Sequence, residues 1–263
     1  MNELQQYFER NQNRLMNKFE HYFEIYDRYF HSYKNKPVTI VEIGVSHGGS
    51  LEMWREYFGD QATIWGIDID PRCKSLEGKN IHILIGSQED KKFLRSIAQN
   101  TGPIDILIDD GGHTQNQQKV SFEILFEHVK PNGVYLCEDT HTSYWNVYGG
   151  GYKRMGSFIE FSKHLIDQLN AFHSEQNALR VNSFTTTACS VHYYDSVVVI
   201  EKRKREKPFP RMTGNPSFEY APGKKTLFEK LSLIFLKNSN KFLQIFHLPG
   251  FGVNKMIELS GKK

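Results

Sequence analysis

The stretch Val38-Thr-Ile-Val-Glu-Ile-Gly44-Val-Ser46-His-Gly48-Gly49-Ser50 decides the fold. A short apolar run, rich in β-branched residues, ends at Gly44 and passes through a glycine-rich turn. The turn opens a helix candidate at 49–58. Strand, tight turn and helix in that order begin a βαβ unit. Glycines let the backbone approach a ligand closely, and the helix start offers free N–H groups. The spacing is not GxGxxG, which argues against a dinucleotide fingerprint.

The pattern repeats downstream. Apolar runs at 63–68, 81–85, 104–109 and 133–138 read as further strands, with helix candidates at 88–99 and 114–128 between them. A Gly-rich loop at 148–152 and a helix near 154–170 follow. Two last strands are read near 183–193 and 196–201, and Tyr194-Asp195 can turn between them as an antiparallel pair. Alternation of this kind predicts an α/β, Rossmann-like sheet with helices on both faces. Upstream, residues 2–33 lack Gly and Pro. Their aromatic residues, from Tyr7 to Tyr33, recur near helical spacing, so one long helix is predicted. That helix has too many apolar positions for a free surface helix and is expected to dock on the core or on a second subunit. The expected organisation is an N-terminal helical segment (1–36), a central domain (37–205) and a basic, partly helical appendage (206–263).

The chain has 263 residues, 39% hydrophobic and 24% charged, which suits a globular protein. Its net charge of +3 hides an asymmetry. Residues 1–200 hold 19 Lys+Arg against 25 Asp+Glu, and residues 201–263 hold 14 against 5. The longest apolar run of the tail, Leu231 to Leu236, is far below the roughly 20 residues of a membrane span. The N-terminus is too polar for a secretory signal. Cys73, Cys137 and Cys189 are too scattered for a CxxC metal site or a disulfide framework, so reduced thiols and a cytoplasmic location are expected.

Chemistry concentrates at the strand ends. Asp68 closes the second strand, where a carboxylate accepts hydrogen bonds from ribose hydroxyls. Ser87 and Gln88 close the third, at a position that can edge an adenine. Asp110 follows the fourth and Glu138 and Asp139 the fifth. Asp110 and Glu138 are separated by one βαβ crossover, so their strands are expected to be neighbours. Three carboxylates converging there repel one another unless a cation sits among them. Oxygen ligands select a hard ion, Mg²⁺ first, with Mn²⁺ or Ca²⁺ as alternatives. His113, three residues past Asp110, is placed to act as general base. Asp109 should point opposite to Asp110 and is read as the structural partner of the pair. The plainer alternative remains open at this stage: paired acids at strand ends are common helix caps. Tyr144, Trp145 and the Gly149–Gly151 triplet are read either as a mobile lid with Trp145 stacking on a bound ligand, or as an ordinary connection.

The runs VEIGVSHGGSLEMW, GIDIDP, IDILIDDGGH, GVYLCEDTHTSYW and YYDSVVVIEK, over residues 37–202, resemble the class I S-adenosylmethionine (SAM)-dependent methyltransferases. More narrowly, they are similar to the metal-dependent sugar O-methyltransferases of macrolide biosynthesis, the mycinamicin and macrocin type. The resemblance implies a mostly parallel seven-stranded sheet with an antiparallel last strand. It implies SAM contacts from Glu42, Gly44, Ser46, Asp68, Ser87 and Gln88, with Asp109 counted in the cofactor set. It implies metal ligation by Asp110, Glu138 and Asp139, with His113 as base. His141, Tyr144 and Trp145 are the candidates for touching the acceptor, a sugar or glycosylated small molecule. Gly112 departs from the family, which often has Ser there, and the tail after Arg205 matches nothing in it.

Two other classes are weighed. Some related sequences are named cephalosporin-hydroxylase-like, yet a non-haem iron site wants two histidines and one carboxylate, not a cluster of acids. A binding protein could use the Lys202-Arg-Lys-Arg-Glu-Lys207 run on nucleic acid or another anionic polymer, but no nucleic-acid-binding motif accompanies it. Association of copies through the N-terminal helix or the appendage, and contact of the appendage with a membrane surface, are left open.

Overall fold

The computed structural model describes residues 1–218, 226–246, 248–250 and 252. The chain divides into two units, 1–209 and 210–263. The first unit begins with two helices, α1 (Glu3–Arg10) and α2 (Tyr22–Phe30). There follow β1 (Thr39–Ile43), α3 (Gly49–Phe58), β2 (Thr63–Asp68), β3 (Ile81–Ile85) and α4 (Lys91–Thr101). Next come β4 (Ile104–Asp109), α5 (Gln115–Leu125), β5 (Val129–Cys137), α6 (Phe158–Leu169), α7 (Ser183–Thr187), β6 (Ala188–Tyr194) and β7 (Val197–Lys202).

The seven strands form one sheet in the order β3-β2-β1-β4-β5-β7-β6. β1 pairs in parallel with β2 and β4, β2 with β3, and β4 with β5. β7 runs antiparallel to both of its neighbours. This is the expected fold. Strand periodicity divides the core in two. Ile40, Ile64, Ile106 and Val199 point to one face, under α1, α2 and α3. Val41, Ile67, Leu107 and Val198 point to the other, under α4, α5 and α6. The chain reverses direction across the sheet between β1 and β4, which opens a crevice at their carboxyl ends.

The single N-terminal helix does not form. α1 stops at Arg10, and residues 11–21 run as an irregular strap to α2. The local cause is Asn11: its side chain accepts the Asn13 N–H at 3.0 Å and donates to the Arg14 carbonyl at 2.9 Å. Such Asx turns give the backbone an alternative to the helix. Tertiary contacts hold the rest. The Arg14 guanidinium pairs with Glu52 at 3.1 Å and donates to the Leu76 carbonyl. A Cβ on Gly49 would lie 2.6 Å from the Arg14 and Leu15 carbonyl oxygens, so only glycine admits the strap there. Both helices dock on the core of this same chain, burying Leu4, Tyr7, Tyr22, Phe23, Tyr26 and Phe30. Each of the larger side chains contributes about 1.5–3 kcal/mol by leaving water.

Near the end of this unit, residues 183–187 are helical rather than the start of a strand. Asn182 accepts the Thr185 N–H and the Thr185 hydroxyl accepts that of Asn182, a capping box that overrides the β preference of three consecutive threonines. In the second unit, Leu227–Ile245 forms α8, capped by Thr226. Its Phe228, Leu231, Ile234, Phe235, Phe242 and Ile245 are exposed. Residues 219–225, 247, 251 and 253–263 of the expected appendage lie outside the described residues. Among the described residues no helix is long and apolar enough to cross a membrane.

Candidate active site

Four backbone hydrogen bonds continue the sheet past its strand ends. Gly44 N–H donates to Ile67, Gly86 to Asp68, Asp110 to Ile43 and Glu138 to Asp109, at 2.8–2.9 Å. They align the loops after five strands around a cleft of about 440 Å³. Its walls include Gly44, Ser46, Asp68, Ser87, Gln88, Asp110, His113 and Asp139. Gly44 has φ +94° and passes so close to β4 that a Cβ would sit 1.9 Å from the Asp110 carbonyl oxygen. Asp68 braces the turn: its Oδ2 accepts the Val45 and Ser46 N–H groups at 2.9 and 3.0 Å, and its Oδ1 accepts that of Asp70. Three non-glycine residues of the site, Ser46, His113 and Asp139, hold left-handed φ values of +49°, +55° and +52°. Strain of this kind persists only where surrounding contacts impose it.

Below the cleft lies a buried polar network. Gln88 Nε2 donates to Asp109 Oδ1 at 2.6 Å and to Ser121 Oγ at 2.8 Å, while Gln88 Oε1 accepts the Gly112 N–H. Gln88 thereby ties the end of β3 to the Asp110–His113 turn, a positioning role that its place in the sequence does not reveal. Asp109 is fully buried, and burial pushes its carboxyl up to about 7 against the hydrogen bonds from Gln88 and Ser121. Burial likewise raises Glu42 to about 7, opposed by Lys18. Glu42 lies on the face of β1 away from Asp109, with Ser50 Oγ donating to its Oε2 at 2.8 Å, and it does not line the cleft.

These two acids give a pH prediction. Their folded pKa values exceed the unfolded ones, so the folded state binds more protons between about pH 4 and 7. Their contribution to stability is complete below that window and is lost as the pH rises through 7. Urea unfolding of the metal-free protein should therefore show a falling free energy across it. At about 1.4 kcal/mol per pKa unit, the part due to Asp109 is a few kcal/mol. Asp109→Asn should flatten the slope, and an unchanged slope contradicts the assignment.

On the lip of the cleft, Asp110, His113 and Asp139 bring one ligand atom each to within 4.8 Å of one another. His113 Nε2 is 3.5 Å from Asp139 Oδ2 and 3.9 Å from Asp110 Oδ1. Tyr22 donates to Asp139 Oδ1 at 2.7 Å. Glu138 stands beside this trio rather than within it. Its Oε2 pairs at 2.8 Å with the ammonium of Lys18, which also lies 2.5 Å from Asp110 Oδ2 and 4.0 Å from Glu42 Oε1. Burial raises the carboxyls of Asp110 and Glu138, and Lys18 partly offsets this. The sequence reading missed Lys18. Its one signal was a lysine inside an aromatic-rich segment.

The carboxylate oxygens of Asp110 and Asp139 suit a hard divalent ion, with the His113 imidazole beside them. Glu138 Oε1, beside the cluster, is buried without a hydrogen-bond partner. The residues present therefore fit a metal of that class.

The acceptor candidates lie beside the acids. His141 Nδ1 is 3.0 Å from Ser196 Oγ, and its ring packs edge-on against Phe19 and Trp145 at 5.7 and 4.6 Å between centroids. Phe19, Tyr144 and Trp145 are exposed, so an aromatic wall faces solvent. The glycine triplet folds back: Gly150 and Gly151 N–H groups bond to the Trp145 and Ser143 carbonyls. A Cβ on Gly150 would meet the Thr142 carbonyl oxygen at 2.4 Å, so this is a tightly packed turn.

A family model described as a methyltransferase domain matches residues 41–140. The 8-demethyl-8-alpha-L-rhamnosyl tetracenomycin-C 2'-O-methyltransferase of Streptomyces olivaceus is 35% identical over 191 residues, covering 69% of this chain and 50% of that protein. The mycinamicin VI 2''-O-methyltransferase of Micromonospora griseorubida is 34% identical, covering 72% and 50%. Among solved structures, the MycE methyltransferase of the mycinamycin biosynthetic pathway, in complex with Mg and SAH, superimposes with a TM-score of 0.71. It is 32% identical and covers 77% of this chain and 55% of that one. The chain thus spans about half the length of the curated relatives it matches.

Proposed function

The chain belongs to the Rossmann-like methyltransferase family, and from that membership we propose that it is a SAM-dependent, divalent-metal-assisted sugar O-methyltransferase. The observation that carries the reading is the convergence of Asp110, His113 and Asp139 on the lip of the strand-end cleft. The cleft, rimmed by Asp68, Ser87 and Gln88, is where an open α/β sheet binds its ligand. The methyl donor supplies a methyl group on a sulfonium cation. Asp110 and Asp139, with Glu138 beside them, would hold a divalent ion, whose positive charge would acidify an acceptor hydroxyl.

The protein's own residues do the rest. His113 Nε2 takes the hydroxyl proton, and the carboxylates of Asp139 and Asp110 at 3.5 and 3.9 Å stabilise the imidazolium that results. The wall of Phe19, His141 and Trp145 offers an aromatic face to the flat side of a sugar. Orientation over the cleft supplies much of the rate, because methyl transfer needs little covalent help. The matched relatives are O-methyltransferases of glycosylated natural products, which favours an acceptor of that class.

The other readings find less support. Among the described residues the cluster holds one histidine and two carboxylates, the reverse of an iron oxygenase triad. The basic run is partly spent inside the fold. Lys202 Nζ donates to the Phe126 and Glu127 carbonyls, and burial lowers its pKa to about 8. Arg205 donates to the Leu169 and Ala188 carbonyls.

The test is an assay with labelled SAM against a panel of glycosides and sugar nucleotides, with Mg²⁺ or with EDTA. Labelled O-methyl sugar is expected with Mg²⁺, and EDTA should suppress it on the order of a hundredfold. Full activity in EDTA overturns the metal. Bound SAM with no transfer to any sugar overturns the acceptor class.

A further inference from the structure

Lys18 holds Asp110, one of the two carboxylates that the proposed chemistry assigns to a metal, together with its neighbour Glu138. Its side chain is only 3% exposed, and its ammonium lies between Asp110 and Glu138. The small cavity around it, about 110 Å³, is lined by Asn17, Lys18, Phe19, Tyr22, Asp110, Glu138 and Asp139. Three carboxylates surround the Lys18 ammonium, Asp110 at 2.5 Å, Glu138 at 2.8 Å and Glu42 at 4.0 Å. An ammonium and a divalent cation that share the Asp110 carboxylate repel strongly in a site shielded from water. Both cannot be held there at once.

The lysine is carried by the strap, residues 11–21, and its neighbour Asn17 lines the donor cleft. Along this strap the hydrogen bonds of Asn11, the contacts of Arg14 and the close approach to Gly49 all lie before Lys18. After Lys18 the chain is fixed again, by the Phe19 ring against His141 and by the Tyr22 N–H on the Phe19 carbonyl, so a movement falls on Asn17 and Lys18.

We propose that Lys18 and a divalent cation compete for the Asp110 carboxylate, so that metal binding expels the lysine, frees Glu138 and lifts residues 17 and 18 from the cleft. The inference rests on the metal-assisted reading above and adds a chain-borne competitor to it. Lys18 keeps the acids neutralised when no metal is present, and its departure exposes the cleft edge at Asn17 as the site becomes competent. The lysine thus lowers metal affinity in exchange for a folded metal-free state.

Calorimetric titration of the full chain and of Lys18→Met with Mg²⁺ and Mn²⁺ tests this, together with hydrogen exchange of the unaltered protein with and without metal. The variant is expected to bind at least about tenfold more tightly, since its carboxylates have no internal cation to displace. In the unaltered protein, amides of residues 17 and 18 should exchange faster once metal is added. The exchange measurement needs no variant, so it decides the matter even if Lys18→Met folds poorly. Equal affinities, or exchange at 17 and 18 that metal leaves unchanged in a protein that binds it, overturn the inference and leave the metal reading standing. Metal binding by Lys18→Met alone overturns both the expulsion and the metal reading, because the lysine is then the permanent occupant. Binding by neither overturns the inference as well.

Discussion

Asp110→Ala is expected to cut methyl transfer by roughly a thousandfold while SAM affinity changes only a few-fold. Asp110 is the residue on which every part of the site converges. It faces His113 Nε2 at 3.9 Å, holds the ammonium of Lys18 and shares a cluster with Asp139. Its backbone, by contrast, serves the sheet: its N–H bonds to Ile43 and its carbonyl packs against Gly44. Alanine keeps that backbone and removes only the carboxylate. The fold should survive, because burial already disfavours the ionised form of this acid and Glu138 remains to pair with Lys18. Turnover in single-substrate assays and SAM binding by calorimetry separate the two effects. A variant retaining even a tenth of the activity places the chemistry elsewhere.

Gly44→Ala should do the opposite, striking the fold and the cofactor site together. A Cβ there would lie 1.9 Å from the Asp110 carbonyl oxygen, 2.6 Å from its carbon and 3.1 Å from Gly111 Cα. None of these atoms can yield cheaply. Asp110 is hydrogen-bonded to β1, and Gly111 lies against the Gln88 side chain, which is fixed by Asp109 and Ser121. The φ of +94° adds a penalty of its own for an L-residue. Overpacking and backbone strain together cost on the order of 3 kcal/mol or more, enough to lower the melting temperature by roughly 10 °C in a domain of this size. SAM binding should fall below detection, because relief of the clash would move the turn that forms the floor of the cleft. Gly78→Ala, where an added Cβ meets nothing within 4 Å, is the matching control and should be silent. A thermal melt of Gly44→Ala that overlays the unaltered protein would show the turn to be more compliant than its contacts indicate.

The legible part of the site was the part written locally. Asp68, Ser87, Asp110, Glu138 and Asp139 each follow an apolar strand, and parallel strands joined by single crossovers present their ends on one side. Gln88 shows the limit of that reading. Its place at the end of β3 suggested a ligand contact, and it lines the cleft, but its side chain is also committed to Asp109, Ser121 and Gly112, which the sequence did not reveal. Which way a polar side chain turns at a strand end depends on the partners folded above it, and adjacency in sequence does not carry that.

The N-terminal segment shows the same limit more sharply. The aromatic period over residues 2–33 correctly marked an apolar face, and α1 and α2 bury it. It masked the local break at Asn11, and the contacts that hold the rest of the strap are with Glu52, Leu76, Asp110 and Glu138, all distant in sequence.

Taken alone, the sequence determined the alternation of strands and helices, the glycine turn after the first strand and the order of the acids along the sheet. Those features rest on periodicities of 2 and 3.6 residues and on the φ that only glycine adopts easily, which are properties of a few consecutive residues. The tertiary structure alone decided that Lys18 joins the acid cluster, from 92 residues before Asp110 and 120 before Glu138. A buried charge is tolerated only where opposite charges surround it, and which charges those are is fixed when the sheet and the strap close over one another.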